Sequence, residues 1–566
     1  MEHFMENVSK AWPLHKDRGF AKSLHSPRMT TAEAIVKSLI SRGIDTVYAL
    51  PGLQSDPLFD AFYKESVSLR VIHPRHEQTA AYMALGAALA TGRPQVCSVV
   101  PGPGFLNACA ALLTAFSMNA PVVAIIGQIP QTDIDRGYGH LHELRDQLGV
   151  ADRFSKFTMR ITHPQQAPSV IAEALAKATS GKQGPVVLEC AMDVLAQFAP
   201  VDLNEPAFPV RSYPIDHEAV DRAASMLADA KRPLIVVGGG AQDAGPEIAA
   251  LAELLEAPVA GFRRGTGVIP SDHRLSVRLP VSHRLWAEAD VVIGIGTRLH
   301  MQQSMWGVSD DLKVIRIDID PQEPDRYRKA DVALVGDAAL YASALAERLS
   351  DLAITPSSRA VELAAHNAWL AGRLEELSPQ VGFLKAIRAA LPKDGIFVDE
   401  VTQVGFVSRL AFPVNGPRTF LSPGYQDNLG WGVGTALGAK AAMPDRAVVS
   451  IAGDGGFLYQ VGELATAVKH NLAVVFVVFD NKMFGNVKRI QQERYGNRVI
   501  AADLESPDFV KLAEAFGVLG LRAETPDELE KAVRAGFESG RPTLVHVPCG
   551  VMPSPWPLIL MPKVRG

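Results

Sequence analysis

Apolar and polar positions along the chain alternate between two patterns. Short apolar runs rich in β-branched residues, such as Thr46–Leu50, Gln95–Val100 and Pro121–Ile126, are each followed by glycine or proline. Between them lie longer segments of helical composition, beginning with an amphipathic segment after Thr30. Short continuous apolar runs predict buried strands, and a period near 3.6 residues predicts helices. The alternation therefore predicts repeated strand–helix units, which build parallel sheets covered by helices.

The pattern recurs in three blocks, so we predict an α/β fold with three doubly wound parallel-sheet domains. A chain of 566 residues is also too long for a single hydrophobic core. Residues 1–28 have no clear period and predict either a disordered arm or an extension ahead of a start at Met29. The predicted domains span residues 29–200, 216–351 and 381–566, joined by a proline-containing linker at 201–215 and a partly helical connector at 352–380.

Sequence signals mark the start of several helices in the first block. Thr30 and Glu33 have the spacing of a capping box. Glu77 follows a predicted strand at Arg70–Ile72 and opens a helix rich in small residues. Asn107 follows a Pro-Gly-Pro-Gly turn and predicts an N-cap.

The stretch from Arg446 to Gly485 contains the strongest candidate site. Arg446–Ala452 is an apolar run that stops at a tight Gly-Asp-Gly-Gly turn, and Leu472–Phe479 is a second run that stops at Asp-Asn. Val461–Lys469 has helical composition, so we predict a right-handed βαβ unit with parallel strands. Asp454 and Asn481, which are 27 residues apart, then meet at the carboxyl ends of the strands, where open α/β sheets bind ligands.

These residues predict a site for a metal and a diphosphate. The carboxylate of Asp454 and the amide oxygen of Asn481 suit Mg²⁺, which shares its coordination shell with water and phosphate. Gly455 and Gly456 offer bare backbone N–H groups at a predicted helix N-terminus, which favours an anionic group. The alternative is a strand-end turn with an incidental aspartate, and the second strand with Asn481 in register disfavours it.

Composition and charge narrow the functional classes. The net charge is −5, from 56 basic and 61 acidic residues, which gives no sign of nucleic-acid binding. No run of about 18 apolar residues predicts a membrane span, and no signal-peptide pattern opens the chain. The 4 cysteines form no CxxC pair and predict buried thiols in a reducing compartment. We therefore expect a cytoplasmic protein that acts on a small molecule.

Gly-Asp-Gly followed, after a helix and a strand, by Asn resembles the fingerprint of thiamin-diphosphate enzymes. The resemblance covers nearly the whole chain from about Met29. The chain is similar above all to the acetohydroxyacid (acetolactate) synthase branch, with benzaldehyde lyase and other carboligases as near relatives. It implies thiamin diphosphate and Mg²⁺ as cofactors, and pyrimidine-binding, central and diphosphate-binding domains. It also implies a homo-oligomer, dimer or tetramer, with active sites at the subunit interface.

The resemblance further implies roles for individual residues. Glu77, in a His-Glu-Gln stretch, falls where the family has the glutamate that activates the cofactor through its aminopyrimidine ring, and the alternative is a helix-capping carboxylate. Leu429 falls where a bulky apolar side chain holds the cofactor bent. The implied cofactor contacts are Gly52, Gln128, Gln403, Val404, Leu429, Asp454, Gly455, Gly456 and Asn481, and the implied metal ligands are Asp454, Asn481 and the backbone carbonyl of Met483.

The sequence departs from the acetohydroxyacid synthase pattern where the second substrate is held. Ile490 replaces a tryptophan and Asn486 replaces a methionine. Leu141 and His142 stand where the family has Phe-Gln, and Gln54 stands where benzaldehyde lyase has a histidine. His142, His140 and Gln54 are candidate proton-transfer groups, and a surface or structural histidine is the alternative for each histidine.

The central block leaves FAD open as a third cofactor. Three segments resemble parts of the flavin site of acetohydroxyacid synthases: Gly238-Gly239-Gly240, Gly265-Thr266-Gly267 and Asp318-Ile319-Asp320-Pro321. The stretch that begins at Arg298 departs from the family's Arg-Phe-Asp-Asp-Arg, and related members without flavin keep the same glycines. FAD is therefore the less favoured expectation.

Together these features predict a thiamin-diphosphate- and Mg²⁺-dependent C–C bond lyase or carboligase. Its substrate is expected to be a 2-oxo acid or 2-hydroxy ketone, processed through C2-ylide and enamine intermediates, and its altered acceptor pocket predicts poor acetolactate synthesis. The alternatives are a decarboxylase or C–C hydrolase that releases aldehyde or acid, and a non-catalytic cofactor-binding subunit. The presence of Glu77, Asp454 and Asn481 argues against the non-catalytic subunit.

Overall fold

The structure is a computed structural model that describes residues 26–206, 208–210 and 213–566. Of the predicted extension at 1–28, residues 1–25 lie outside the described residues. In the part of the chain that is described, no helix combines the length and apolar character needed to cross a bilayer.

The first part of the chain forms a six-stranded parallel sheet and a small antiparallel pair. Its elements are β1 Arg28–Thr30, α1 Thr31–Ile40, β2 Thr46–Ala49, α2 Asp56–Lys64, β3 Arg70–Ile72, α3 Glu77–Thr91, β4 Gln95–Val99, α4 Pro103–Ser117, β5 Val122–Gln128, α5 Gln147–Asp152, β6 Phe157–Ile161, α6 Ala167–Thr179, β7 Val186–Ala191, α7 Met192–Leu195 and β8 Phe198–Pro200. The strand order is β3-β2-β4-β5-β7-β6, and β1 pairs with β8. Strands β5 and β7 are buried on both faces along their whole length, as expected of central parallel strands.

The central part forms a second parallel sheet of six strands. Its elements are α8 His217–Ala228, β9 Leu234–Val237, α9 Gly245–Leu255, β10 Val259–Gly261, β11 Ser276–Val277, α10 Leu279–Glu288, β12 Val291–Ile295, β13 Lys313–Asp318, β14 Val332–Val335 and α11 Ala338–Asp351, followed by the connecting helix α12 Ala360–Glu375. The strand order is β11-β10-β9-β12-β13-β14. The order reverses beside β9, which creates a crevice at the carboxyl ends of β9 and β12.

The last part forms a third parallel sheet of the same kind. Its elements are α13 Gln380–Ala390, β15 Ile396–Val398, α14 Gln403–Ala411, β16 Phe420–Leu421, α15 Gly432–Ala442, β17 Val448–Gly453, α16 Asp454–Leu458, α17 Leu464–Lys469, β18 Val474–Asp480, α18 Gly485–Arg494, α19 Phe509–Ala515, β19 Leu519–Arg522, α20 Pro526–Ser539, β20 Thr543–Pro548 and α21 Trp556–Ile559. The strand order is β16-β15-β17-β18-β20-β19. The predicted fold of three parallel-sheet domains is confirmed.

Helices α3 and α15 join the cores of the first and third sheets. Every residue of α3 from Thr79 to Ala90 is buried, because small side chains let the neighbouring helix approach closely. A Cβ added at Gly86 would overlap the Thr435 carbonyl, and one added at Gly438 would overlap the Met83 carbonyl. The two sheets are therefore packed against each other through backbone contact between α3 and α15.

The helix signals in the sequence are confirmed with one exception. The capping box of Thr30 and Glu33 is present, and α3 begins at Glu77. The predicted N-cap at Asn107 is wrong: α4 begins at Pro103, and Asn107 lies inside it. Proline favours the first turn of a helix because it has no N–H to leave unsatisfied, so Pro103 determines where this helix starts.

The predicted βαβ unit is present with small shifts of its ends. Strands β17 and β18 are parallel, with Gly453 opposite Phe479. The predicted tight turn after β17 is instead the first turn of the short helix α16, which begins at Asp454. The predicted middle helix starts as a 3₁₀ turn at Val461–Glu463 before α17. Helix α17 ends at Lys469, as the helical composition of Val461–Lys469 predicts, and Asn471 follows in the left-handed conformation at φ 51°.

Candidate active site

Glu77 lies at the carboxyl edge of the first sheet, between the loops that follow β3 and β4. As the first residue of α3 it is half-buried, and His76 caps the helix through Nδ1. Asn107 Nδ2 donates a hydrogen bond to Glu77 Oε2 at 3.0 Å. A Cβ at Gly104 would lie 3.4 Å from Glu77 Oε1, so the turn before α4 passes close to the carboxylate. Among the described residues, the Glu77 carboxylate therefore accepts a hydrogen bond from an amide and has no cationic side chain as a partner.

A buried polar network fixes the turn before α4. Gln147 accepts the Gly102 N–H through Oε1 and donates to Glu189 Oε2 at 2.8 Å. Arg160 donates to the other oxygen of Glu189 at 2.5 Å. Gln128, at the end of β5, donates to Glu189 at 3.1 Å and accepts the Ile129 N–H. The side-chain amide of Gln128 is therefore engaged in this network, next to the edge where a cofactor contact is predicted.

Gln54 and His142 form a hydrogen-bonded pair at the same edge. Gln54, only 2% exposed, donates through Nε2 to the Leu141 carbonyl at 2.7 Å. Its Oε1 lies 3.0 Å from His142 Nδ1. Because Oε1 can only accept, Nδ1 of His142 must carry the proton, and in neutral imidazole Nε2 then holds the lone pair. His140, by contrast, points to Asp133, with Nε2 and Oδ2 2.9 Å apart.

The remaining predicted residue at this edge is Gly52, which follows β2. A Cβ there would lie 2.5 Å from Val100 Cγ1, so glycine is needed for the β2 and β4 loops to approach. Likewise, a Cβ at Gly102 would overlap the His142 carbonyl. The first sheet therefore brings together Gly52, Gln54, Glu77, Gln128 and His142, although they are distributed over 91 positions of the sequence, from 52 to 142.

Asp454 and Asn481 lie at the carboxyl edge of the third sheet, at the ends of adjacent strands. Asp454 is 1% exposed, and burial raises the pKa of its carboxyl group, as does the negative charge of Asp480. The Asn481 N–H hydrogen-bonds to Asp454, and Ser506 Oγ bridges the two carboxylates, at 3.3 Å from Asp454 and 2.7 Å from Asp480. Among the described residues, His546 is the only ion-pair partner of the two acids, 3.0 Å from Asp480.

This arrangement fits a bound divalent cation. Two buried carboxylates with no lysine or arginine partner among the described residues repel each other, and a cation between carboxylate and amide oxygens would relieve that repulsion. No cluster of three or more His, Cys, Asp or Glu side chains suited to a metal occurs in the described ranges. A site here would therefore depend on amide, carbonyl, water or phosphate oxygens as further ligands, as Mg²⁺ prefers.

The loop Gly424–Gly430, here called the Leu429 loop, lies beside the glycines that follow Asp454. Its last N–H, at Gly430, donates to Glu400 Oε1 at 3.0 Å, and the Gly432 N–H donates to Oε2 at 2.9 Å. A Cβ at Gly456 would overlap Glu400 Oε1 and lie 3.5 Å from Leu429 Cδ2. Glu400 thus joins the Leu429 loop to the first turn of α16.

Three family models match the chain where these sheets lie. The N-terminal TPP binding domain of thiamine pyrophosphate enzymes matches residues 29–150, the central domain matches residues 220–345, and the C-terminal TPP binding domain matches residues 400–547. The chain belongs to the thiamin-diphosphate enzyme family.

Relatives in the family are similar over almost the whole chain. A probable 2-ketoarginine decarboxylase of Pseudomonas aeruginosa is 33% identical over 538 residues, 92% of this chain and 94% of the relative. A probable acetolactate synthase large subunit of Methanocaldococcus jannaschii is 33% identical over 561 residues, 92% of each chain. Acetolactate synthase isozyme 2 large subunit of Escherichia coli is 31% identical over 554 residues, 94% of this chain and 97% of the relative. The chain is a thiamin-diphosphate-dependent enzyme of the lyase or transferase type, in the acetolactate synthase-like branch.

Other predicted residues of this thiamin-diphosphate enzyme lie around the third sheet. Gln403 begins α14, and its side chain accepts the Met552 N–H and donates to the Gly550 carbonyl, while Val404 is fully buried. Met483 forms an isolated bridge with Asp503. A Cβ at Gly455 would lie 2.6 Å from Phe484 Cε1, so this glycine is also needed by the chain's own packing.

The residues predicted to select the second substrate lie on helix α18. Asn486 and Ile490 are one turn apart and half-buried. Asn486 Oδ1 accepts a hydrogen bond from Arg489 Nη2 at 3.0 Å, and the Arg489 guanidinium lies over the Trp556 ring at 5.1 Å. Leu141, in the loop of His142, is 59% exposed.

Sequence reasoning missed three residues of this edge and misjudged a fourth. Glu400 follows β15 just as Asp454 follows β17. Because ligands bind at the carboxyl ends of parallel strands, this position was a signal for Glu400 in the sequence. Asp480 stood next to Asn481 and was given no role. Asn107 was interpreted as a cap, although it is a partner of Glu77. No local signal points to Asp427, which accepts from Arg409 and Arg263 in the folded chain.

The glycines that resemble a flavin site are engaged in the fold of the central sheet. The Gly238 N–H donates to the Ile295 carbonyl and the Gly240 N–H donates to the Gly296 carbonyl. A Cβ at Gly238 would overlap the Gly296 carbonyl, so close approach of two strand-end loops accounts for this glycine. The N–H groups of Gly238 and Gly240 are therefore not free to hold a diphosphate, so they give no support to FAD, which stays a prediction from the resemblance.

Proposed function

We propose that this enzyme is a thiamin-diphosphate- and Mg²⁺-dependent C–C bond lyase or carboligase that acts on a 2-oxo acid or 2-hydroxy ketone. The observation that carries the proposal is the pair of buried carboxylates, Asp454 and Asp480, which has no lysine or arginine partner among the described residues and lies beside Asn481 at the ends of adjacent parallel strands. Such a pair favours a bound cation, and a cation at this edge would anchor an anionic diphosphate.

The residues at the carboxyl edges of the first and third sheets would have different roles in binding and activating the cofactor. Asp454, Asn481 and the Met483 carbonyl would hold Mg²⁺, and Gly455 and Gly456 would offer N–H groups to the diphosphate. Leu429 would offer an apolar contact to the cofactor. Bound thiamin diphosphate supplies a carbon nucleophile and an electron sink for C–C cleavage. Glu77 would hold a proton contact with the pyrimidine ring, and Asn107 keeps that carboxylate oriented.

The side chains on helix α18 support the proposal that the enzyme uses substrates other than two pyruvate molecules. Ile490 presents a flexible aliphatic side chain where an indole is expected in acetolactate synthases. Asn486 places an amide near the same surface, where a thioether is expected. Discrimination by apolar fit is worth only about 1–3 kcal/mol per methylene, so loss of a large rigid wall should redirect acceptor choice.

A second candidate function is a 2-oxo acid decarboxylase that ends its cycle by protonation. The Gln54–His142 pair supports it, because the proton on Nδ1 leaves Nε2 of His142 to exchange a proton with substrate. One relative carries the name of a decarboxylase for 2-ketoarginine. In this cycle one proton is consumed for each CO₂ released, and the product is an aldehyde.

We also propose that the enzyme is a homo-oligomer with its site at the subunit interface. Helix α4, which carries Asn107, exposes Leu106, Leu113 and Phe116 by 48%, 40% and 39%. A partly apolar surface next to Glu77 is suited to burial against a second copy. Analytical ultracentrifugation showing a dimer or tetramer would support this, and a monomer at working concentration would contradict it.

The metal and cofactor proposal is tested by Asp454→Ala, with Asp527→Ala as the control. Both aspartates lie in the first turn of a helix of the third sheet, but Asp527 is exposed and has no place at the strand-end edge. We expect the purified Asp454 variant to retain neither Mg²⁺ nor thiamin diphosphate, because the diphosphate loses its main cation. Retention equal to that of the parent and of Asp527→Ala would contradict the assignment.

A further inference from the structure

The Leu429 loop is the place where all three sheets of the chain meet. From the first sheet, Thr114 Oγ1 donates to Asn428 Oδ1 at 3.4 Å, and Asn428 in turn donates to the Tyr82 hydroxyl. From its own sheet, the loop is held by Glu400 at Gly430 and by Arg409 at Asp427. Two arginines reach it from the central sheet, Arg263 and Arg298.

The arginine contacts from the central sheet are specific. Arg263, in the turn after β10, donates through Nη2 to Asp427 Oδ2 at 3.0 Å. Arg409 grips the same carboxylate with two bonds of 2.9 and 2.7 Å and also donates to Asp399 at 2.7 Å. Arg298, after β12, lies over the Tyr425 ring at 4.7 Å. Two guanidinium groups and two carboxylates thus form a charge-balanced cluster around Asp427, in which Arg409 and Asp399 are buried and Arg263 and Asp427 are partly exposed.

Two residues of this cluster have strained backbone conformations. Asp427 has φ 48° and Arg263 has φ 52°, both in the left-handed region that non-glycine residues rarely adopt. Such conformations cost free energy and persist only where surrounding contacts enforce them, commonly at functional sites. Burial alone would raise the pKa of Asp427, but the charges and hydrogen bonds of Arg409 and Arg263 outweigh it and lower the pKa. Asp427 is therefore ionised and held in a strained turn two residues before Leu429.

We infer that Arg263 of the central sheet is a positioning residue for the cofactor, acting through Asp427 on the Leu429 loop. The inference rests on the proposed role of Leu429 as a cofactor contact. Without the Arg263–Asp427 bond, the loop loses one charge-assisted hydrogen bond and relaxes from its strained turn. Cofactor binding must then order the loop again, and the affinity falls. The central sheet thereby influences cofactor retention without touching the cofactor.

The test compares release of thiamin diphosphate from full-length holoenzyme for Arg263→Met, Arg263→Lys and Asp427→Asn. Bound cofactor is quantified directly after dilution, without substrate. One lost charge-assisted hydrogen bond should speed release and raise the Kd by about 10- to 100-fold in Arg263→Met, with a smaller effect in Arg263→Lys, which keeps the charge. In the double variant Arg263→Met/Asp427→Asn the effects should be non-additive, because Asp427→Asn already removes the ion pair with Arg263, while it alone also weakens the two bonds from Arg409.

Arg274→Met is the matched control. Arg274 belongs to the same domain and forms a bidentate ion pair with Glu256, but its side chain is 50% exposed and Glu256 lies outside the Leu429 loop. It should leave cofactor release unchanged. Parental cofactor affinity in Arg263→Met, additive effects in the double variant, or equal weakening by Arg274→Met would each overturn the inference.

The outcomes separate this inference from the proposed function. A parent that retains thiamin diphosphate and does not turn over any 2-oxo acid or ketol contradicts the proposed reaction, while the release assay still decides the role of Arg263. A parent with lyase activity and an Arg263→Met variant with parental release contradicts only the positioning role.

Discussion

Glu77 has a single side-chain partner among the described residues, the Asn107 amide. An amide donor orients a carboxylate without neutralising it, so the carboxylate remains able to accept a proton from a bound ring. A glutamate that only stabilised the helix start would act through its charge near the first N–H groups. The proton contact and the capping role therefore predict different consequences of removing the charge.

Glu77→Gln is expected to fold and to retain thiamin diphosphate but to lower turnover by about 10²–10⁴-fold, because glutamine cannot exchange the proton. Steady-state kinetics and exchange of the cofactor C2 proton measure this. Glu33→Gln is the control, because Glu33 is also a first-turn glutamate, in the capping box of α1. Parental turnover in Glu77→Gln would reduce Glu77 to a helix cap.

Glu400 makes a pH-dependent contribution to stability. Burial raises the pKa of its carboxyl group from 4.5 to about 7, although the N–H groups of Gly430 and Gly432 lower it. A raised carboxyl pKa means that the folded state binds the proton more tightly. The stabilisation is then complete below pH 4.5 and is lost as the pH rises through 7.

Glu400→Gln should remove this dependence. The free energy of unfolding of the parent, relative to the variant, should fall by up to about 3 kcal/mol between about pH 5 and pH 8. Chemical denaturation of both cofactor-free proteins, side by side at the two pH values, measures the difference. A difference that does not change with pH would show that Glu400 has an ordinary pKa.

At the scale of elements, helices α3 and α15 approach so closely at their glycines that no Cβ fits there. A Cβ at Gly438 would overlap the Met83 carbonyl, and backbone cannot move aside as a flexible side chain does. Gly372, in the last turn of α12, has no atom within 4 Å of an added Cβ. The two helical glycines therefore predict substitutions of opposite sign.

Gly438→Ala should lower the free energy of unfolding by about 1–3 kcal/mol or more through overpacking. Gly372→Ala should raise it by about 0.4–1 kcal/mol, because alanine restricts the unfolded chain at no steric cost in the helix. Thermal unfolding of the two variants beside the parent gives both signs. Equal tolerance of alanine at the two positions would mean that α3 and α15 are not in backbone contact.

The elements around the candidate site were largely predictable from local pattern. Strand β3 has the predicted bounds, and β17 and β18 pair in parallel with Asp454 and Asn481 at neighbouring ends, because continuous apolar runs and strand-end glycines are local signals. The start of α4 was misplaced because Pro103 outweighed Asn107 as a helix-start signal.

At the scale of the whole molecule, the partners of the site residues were beyond local pattern. Arg263 and Asp427 are 164 positions apart, and Gln54 and His142 are 88 apart. Such pairs arise from how three sheets pack, and periodicity carries no information about them. The sequence therefore indicated which edges bear the chemistry, while the hydrogen bonds that orient Glu77, His142 and Leu429 required the folded chain.

The three-sheet architecture leaves the cofactor chemistry of the branch intact and alters the surface on α18. The residues proposed to hold and activate thiamin diphosphate lie at two sheet edges, and Asn486 and Ile490 lie on the helix that follows β18 and are not among those residues. Substitution on α18 should therefore change which product forms and leave cofactor binding unchanged. Product identity is the property that would distinguish the proposed function from acetolactate synthesis.

The most direct measurement is product analysis of the purified enzyme with pyruvate and a panel of larger and more polar 2-oxo acids. We predict little or no acetolactate from pyruvate, release of CO₂ with an aldehyde or ketol from another 2-oxo acid, and increased acetolactate in Ile490→Trp. Aldehyde alone would favour the decarboxylase, and a ketol the carboligase. Acetolactate formed from pyruvate by the parent with an ordinary kcat of about 1–10³ s⁻¹ would contradict the account.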